Sequence, residues 1–282
     1  MNVSNFDINQ RFKTCWVINN GVPAYRKQTC GVADAIGVHY LEKQCKLTKP
    51  WSFLPASLAF NATKHLTHDS DTLQPPWPDL IICSGRRTIA LALYIKKANK
   101  RKTQLIYIQN PKVKLDEFSI IIAPEHDQLQ RENVITTCGA VHNISQPQLE
   151  KEGQLFDEQF NQLKRPLIAV MLGGSSGNGK NKYELTAERT TTLAQRLCEL
   201  AKTHEGSLVI TPSRRTGDKN CEILRKQFAA MPNILFADLS NSNPYLAMLN
   251  QADTLLVTDD SVSMVSEACF TGKPVYVMTL PE

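Results

Sequence analysis

The feature that most constrains the fold is a rhythm in the second half of the chain. Short β-branched apolar runs recur at "PLIAVML" (166–172), "SLVIT" (207–211), "NILFA" (233–237), "TLLVT" (254–258) and "PVYVM" (274–278). Each is apolar at successive positions, as a strand buried on both faces must be. The segments between them carry helical spacing: Leu193, Ala194, Leu197, Leu200 and Ala201 in one, Ile223, Leu224 and Phe228 in the next, then "NPYLAMLNQA", where Pro244 suits a first helical turn. Strand alternating with helix implies a parallel sheet wound on both faces, because parallel neighbours need a crossover connection.

The first half repeats the theme, with strands expected at "CWVINN" (15–20), "DLIIC" (79–83), "QLIYIQ" (104–109), "FSIIIAP" (118–124) and "NVITTCG" (133–139), and helices near 25–36 and 87–98. Residues 46–78, rich in Pro, Trp, Phe and Ser, follow no period and read as an irregular excursion. The acidic stretch 143–165 reads as one solvated helix and a Pro-containing entry to the next strand, which places the boundary there: one Rossmann-like domain over 1–155 and another over 156–282. A chain of 282 residues that is 42% hydrophobic can bury two such modest cores.

Composition then removes whole classes of function. The net charge of +5, from 32 basic and 27 acidic residues, favours anionic ligands mildly and falls short of a nucleic-acid footprint, so no nucleic-acid partner is expected. Eight cysteines lie far apart, with no C-x-x-C and no His/Cys cluster at zinc spacing, and read as free thiols with no metal site. The first twenty residues lack the apolar core of a signal peptide, and no run approaches ~18 apolar residues. A cytoplasmic protein is expected. The run "KKANKRK" (96–102) closes a helix, where cations complement the dipole, and reads mainly as a solvated helix end, with peripheral contact to an anionic membrane or a protein partner as the alternative.

In a parallel sheet every strand delivers its C-terminal end to one edge, so the residues just after the strands share a crevice. In "TLLVTDDSVSMVSEACFTGKPVYVM", Asp260 and Ser261 sit at such an end, Ser261 suits the cap of a helix, and Met264 and Glu267 lie within its first two turns. A helix N-terminus binds phosphate and a nearby carboxylate can hold a ribose diol, so this junction is shaped for a nucleotide. "MLGGSSGNGKNKY" adds close glycines and hydroxyls at Gly173, Gly174 and Ser175, while "TPSRRT" adds Ser213, Arg214 and Arg215, whose guanidiniums suit a diphosphate. Each junction also has a plain structural reading: Asp260 and Ser261 capping the helix, Glu267 solvated, one arginine bridging to an acidic neighbour and the other solvated.

In the first half, "CSGRRT" sets Gly85, Arg86 and Arg87 after a strand, "IQNPK" sets Gln109 after another, and "APEHD" sets His126 and Asp127 after a third. His126 is the candidate general base, with Asp127 or Glu125 to orient it, since imidazole titrates near neutrality.

Taken in order, "PDLIICSGRR", "IQNPK", "APEHD", "NVITTCGAVHNI", "AVMLGGSSG", "TPSRRT" and "NPYLAMLNQADTLLVTDDSVSMVSEACFTGKPVYV" resemble the plant mitochondrial-fission factor family, known for elongated mitochondria, and its bacterial relatives. The last segment also resembles the donor half of GT-B glycosyltransferases that build lipid A and the peptidoglycan precursor. The resemblance implies two Rossmann-like domains facing each other across a cleft, with Gly173, Gly174, Ser175 and Arg214 meeting the diphosphate of a UDP-type sugar nucleotide and Glu267 binding its ribose. The first domain would hold the acceptor, and Gly21 and Gln28 in "NNGVPAYRKQ" match part of the family's D-G-K-x-G-x-x-x-Q loop, which here loses its acid and second glycine. The chain ends at "VYVMTLPE", where family members continue into further helices, so the second domain is expected to be either naturally short or C-terminally truncated.

Three functions follow, in order: a metal-independent glycosyltransferase with a sugar nucleotide as substrate, no cofactor and His126 or Asp127 as base; a non-catalytic adaptor that recruits a dynamin-like partner; and a sugar-nucleotide epimerase.

Overall fold

The computed structural model describes residues 8–54, 61–177, 183–237 and 243–281. The chain divides into two compact units, Met1–Asn143 and Ile144–Glu282.

The first unit runs α1 (Ile8–Arg11), β1 (Cys15–Asn19), α2 (Pro23–Ile36), β2 (Leu41–Gln44), β3 (Leu80–Ser84), α3 (Arg86–Ala98), β4 (Gln104–Ile108), β5 (Ile120–Pro124) and β6 (Val134–Thr137). Its strands form one parallel sheet in the order β2-β1-β3-β4-β5-β6. Side chains alternate across it with the strand period of two. Trp16, Ile18, Ile81, Cys83, Leu105 and Tyr107 pack with Ile89, Leu91 and Ile95 of α3 on one face. Cys15, Val17, Leu80, Ile82, Ile106 and Ile108 pack with Cys30, Val32 and Ala33 of α2 on the other. Burial on both faces is why these strands print as unbroken apolar runs.

Sequence reasoning did not find β2, "LEKQ". It is an edge strand, half exposed, and Leu41 is turned to solvent. The described part of the 46–78 excursion lays Trp77 edge-on to Trp16, stacks Trp51 on His65, and buries Leu47, Ala62 and Leu73 on the α3 face of the core.

The second unit runs α4 (Gln146–Gln154), α5 (Asp157–Phe160), β7 (Leu167–Leu172), α6 (Ala187–Thr203), β8 (Ser207–Pro212), α7 (Asp218–Phe228), β9 (Ile234–Phe236), α8 (Tyr245–Gln251), β10 (Thr254–Thr258), α9 (Val262–Cys269) and β11 (Val275–Met278). The sheet is parallel throughout, ordered β11-β10-β7-β8-β9. Ala169, Met171, Val209, Leu255 and Val257 meet α4, α5, α8 and α9 on one face, while Val170, Leu172, Leu208 and Ile210 meet α6 and α7 on the other.

The solvated helix expected over 143–165 is two helices, and both bury anchors, Leu149 and Phe160. They join the core beside Met248 and Leu249 of α8, so the compact units divide ahead of the boundary expected after residue 155.

In each sheet the winding direction reverses once, between β1 and β3 in the first and between β7 and β10 in the second. Crossovers on either side of such a point carry their helices to opposite faces and leave a crevice at the C-terminal strand ends.

Candidate functional site

At the reversal point of the second unit the loop after β7 meets the loop after β10, and a carboxylate joins them. Asp260 Oδ1 accepts from the Thr258 hydroxyl at 2.6 Å, and Oδ2 accepts from the Gly174 N–H at 3.1 Å and from the Arg215 guanidinium at 2.6 Å. The Asp260 side chain is 4% exposed against 41% for Arg215, so this is a buried acid clamped by a surface cation. The Thr258 hydroxyl in turn accepts from the Gly173 N–H at 2.7 Å.

Two adjacent glycines are needed for this approach. A Cβ on Gly173 would overlap the Asp260 carboxylate, and one on Gly174 would overlap the Arg215 carbonyl. The turn 213–216 closes the third side. The Ser213 Oγ accepts from the Arg215 N–H at 3.2 Å, and the buried Thr216 hydroxyl donates to the Gly173 carbonyl. The Ser175 N–H donates to the Arg215 carbonyl at 3.2 Å, while the Ser175 Oγ accepts from the Leu185 N–H at 3.0 Å.

The glycine loop therefore spends its own N–H groups inside the protein. What remains open at this edge is the Ser175 hydroxyl proton, the exposed Arg214, which has no polar partner among the described residues, and the start of α9. Ser261 caps that helix as expected, its Oγ accepting from the Met264 N–H at 3.4 Å, which leaves the N–H groups of Val262 and Ser263 without partners among the described residues. Arginine 215 takes the structural role, bridging to Asp260, and Arg214 the solvated one. Met264 is half-buried against the α8–α9 face of the core.

Glu267 is neither solvated nor presented to the crevice. It is 4% exposed and lies against the Tyr245 hydroxyl, where burial first and the Glu267 carboxylate second raise the phenol far above its ordinary pKa. Tyr183, beside the crevice, is raised by burial against the opposing pull of Arg189, with Asp260 and Asp259 adding to the rise. Residues 178–182, including Lys180 and Lys182 of the glycine-rich stretch, lie outside the described residues.

The first unit gathers most of its predicted residues at its own reversal point. Gly21 follows β1 with φ 81°, and its N–H donates to the Asn19 Oδ1 at 2.9 Å. Gly85 follows β3 with φ 86°, and the Tyr25 ring packs over it, 2.7 Å from where a Cβ would stand. Gln28, on α2, reaches up to the same edge. Its Oε1 accepts from the Ser84 hydroxyl at 3.1 Å and from the Gln109 amide at 3.3 Å, which ties α2 to the ends of β3 and β4. Gln109 holds φ 83°, a left-handed backbone rare for a residue with a side chain. Arg86 and Arg87 occupy the first turn of α3, exposed.

His126 and Asp127 do not join this cluster. They form a short 3-10 turn after β5, and β5 is separated from β3 by β4, so they stand about 10 Å along the edge at ~4.8 Å per strand. No hydrogen bond links His126 to Asp127 or Glu125 among the described residues; Glu125 instead accepts from the Cys138 thiol at 3.8 Å. Among the described residues no three His, Cys, Asp or Glu side chains gather as a metal site would need, and no helix is long and apolar enough to cross a membrane.

Sequence reasoning missed Thr258, Thr216, Ser84 and Tyr245. The first three are buried hydroxyls at or just beyond strand ends, and that position was the available signal. Nothing local marked Tyr245, which meets Glu267 only through the packing of α8 on α9.

Comparison with known proteins agrees with this architecture. The family model described as "Mitochondrial fission ELM1" matches residues 23–282. The Mitochondrial fission protein ELM1 of Arabidopsis thaliana is 30% identical over 230 residues, 73% of this chain and 53% of that protein, so the chain spans about half the length of this relative. A Rickettsia prowazekii protein described as uncharacterized is 27% identical, over 88% of this chain and 79% of its own. Among solved structures, a Neisseria meningitidis UDP-GlcNAc 2-epimerase bound to UDP-GlcNAc superposes with TM-score 0.55 at 15% identity, covering 94% of this chain and 81% of that one. The S. aureus MnaA–UDP co-structure gives 0.53 at 11% identity, covering 94% and 78%. At such identities the likeness is one of fold: two α/β units with parallel sheets, as in GT-B-like proteins.

Proposed function

The chain belongs to the mitochondrial fission ELM1 family, and on that premise we propose that it binds a sugar nucleotide of UDP type in its second unit and acts as a metal-independent glycosyltransferase, the first unit binding the acceptor. One observation carries the reading: in each sheet most of the polar loops named above gather at the reversal point, where ligands of doubly wound sheets bind.

On this reading the diphosphate sits beside the glycine loop rather than in it, because the N–H groups of Gly173, Gly174 and Ser175 already have partners. The N–H groups of Val262 and Ser263 at the start of α9, the Ser175 hydroxyl and Arg214 are the donors left to receive it. Together they supply a helix dipole and a guanidinium, which stabilise a departing diphosphate without a metal ion. Asp260 acts behind them, holding Gly174, Thr258 and Arg215 in place. Glu267 serves as the ribose ligand only if it leaves Tyr245, so its contribution separates from that of Arg214 in a binding assay. His126 and Asp127 remain the proposed bases for the acceptor hydroxyl.

The test is a thermal-shift titration of the protein with UDP, GDP, CDP and ADP, alongside Arg214→Ala and Glu267→Gln. Ligand bound only to the folded state stabilises it by about 2.7 kcal/mol at a hundredfold excess over Kd. A saturable shift with one nucleotide that disappears in Arg214→Ala supports the donor site. Absence of any shift removes it. Transfer or donor hydrolysis unchanged in both His126→Ala and Asp127→Ala would discard those two as bases.

An adaptor that recruits a dynamin-like protein is the second reading, favoured by the absence, among the described residues, of a hydrogen bond joining His126 to Asp127 or Glu125. Partner capture that survives loss of Arg214 and of nucleotide binding would move it to first place.

A further inference from the structure

Two helices begin at the reversal point of the first unit, and neither is arranged as an isolated helix start should be. α2 and α3 both lack an acidic residue in the first turn and both lack a side-chain cap. α3 instead opens with Arg86 and Arg87, cations at the positive end of a 13-residue helix. Like charge there opposes the macrodipole, so the arginines weaken the helix they start. Both are exposed and neither has a polar partner among the described residues.

A second feature at the same edge also points to a ligand. Gln28 is 6% exposed, and its two side-chain hydrogen bonds among the described residues, from Ser84 and Gln109, reach a single atom of the carboxamide. The other terminal atom has no partner among the described residues. Exchanging the amide's oxygen and nitrogen changes which end is used and still leaves one open. The Gln109 side chain that holds Gln28 comes from a backbone at φ 83°, strain of the kind that collects at binding sites.

We infer that the crevice between β1 and β3 binds an oxyanion, a phosphate monoester or a carboxylate, held by the guanidiniums of Arg86 and Arg87 with the open end of Gln28 beside it. An anion there complements the dipoles of both helices and the two unpaired cations at once. Under the transferase reading, on which this assignment of role rests, the acceptor is therefore an acidic molecule rather than a neutral sugar or alcohol.

The experiment is a thermal-shift titration of the full chain with glucose 1-phosphate, glucuronate and glucose, in saturating UDP so that the second unit's anion site is filled. The variants are the double change Arg86→Gln/Arg87→Gln and, as control, Arg196→Gln, an exposed arginine in the middle of α6. We expect one or both acids, and not glucose, to give a saturable shift, with whichever acid acts identifying the group. The double variant should raise Kd at least tenfold while Arg196→Gln leaves it within twofold. Without ligand the double variant should melt at or above the wild type, because the helix start has lost two unfavourable charges. Failure of both acids to bind, or binding that survives the double change, overturns the inference. UDP failing to shift the protein while an acid still binds in an Arg86- and Arg87-dependent way would count against the donor reading alone.

Discussion

Replacing Gly173 by alanine tests whether Asp260 organises the second unit's crevice. Gly173 does not have a positive φ, so alanine faces no backbone penalty there and on chain entropy alone would stabilise the fold by about 0.4–1 kcal/mol. The structure predicts the opposite sign. The new Cβ would overlap the Asp260 carboxylate, which has to swing away from the Gly174 N–H (3.1 Å), the Thr258 hydroxyl (2.6 Å) and Arg215 (2.6 Å). Hydrogen bonds to a charged group are worth roughly 1.5–3 kcal/mol each when a buried partner is stranded. Thr258 is fully buried and cannot turn to water, whereas Arg215, being 41% exposed, recovers most of its share from solvent. The net expectation is a loss of about 3–5 kcal/mol, a large part of the ~5–15 kcal/mol available to a typical domain. Urea denaturation followed by circular dichroism reads it directly. The decisive control is the double-mutant cycle: in an Asp260→Ala background the obstacle is gone, and Gly173→Ala should cost nothing. A Gly173→Ala variant as stable as the wild type, or one that costs as much without Asp260 as with it, would refute the clamp.

Other expectations follow from the same packing. Gly31→Ala, inside α2, should destabilise despite alanine's ~1 kcal/mol helix advantage, because its Cβ would strike the His142 carbonyl; urea midpoints decide the sign. Burial pushes the thiols of Cys15, Cys45 and Cys83 up to about 12 from an ordinary 9.0. Between those values the unfolded chain ionises and the folded one does not, so the unfolded state binds fewer protons and stability falls as pH rises. Each thiol contributes about 1.4 kcal/mol per pH unit in that window, and Cys83→Ala should flatten the decline measured by urea titration from pH 8 to 11. With Ellman's reagent on the native protein, Cys138 and Cys269 should react first and the buried Cys15, Cys30, Cys45 and Cys83 only on unfolding. A fast phase involving any of those four would contradict the described core.

Much of the architecture was legible in the sequence because burial writes a periodic record. A strand covered on both faces must be apolar at every position, so "LIICS" and "TLLVT" announced themselves, and the polar residues immediately after them had to lie at one sheet edge. The strand "LEKQ" left no such record because its edge position lets solvent take half of its side chains. The stretch 143–165 misled for a related reason: one buried anchor per short helix, Leu149 and Phe160, is too sparse to show a period.

The sequence by itself thus determined two parallel α/β sheets and which residues would stand at their C-terminal edges. Only the tertiary structure decided who meets whom along those edges. The spatial order β11-β10-β7-β8-β9 is what sets Asp260 against Gly174 and Arg215, residues 86 and 45 positions away, and in the first unit the order β2-β1-β3-β4-β5-β6 is what sets His126 two strands from the β1–β3 crevice. The packing of α8 on α9 turns Glu267 inward to Tyr245, where its spacing alone allowed an outward face. Hydrophobic periodicity is a local property that each segment carries alone. The partner of a carboxylate or an arginine is chosen by strand order and helix packing, which no local window contains.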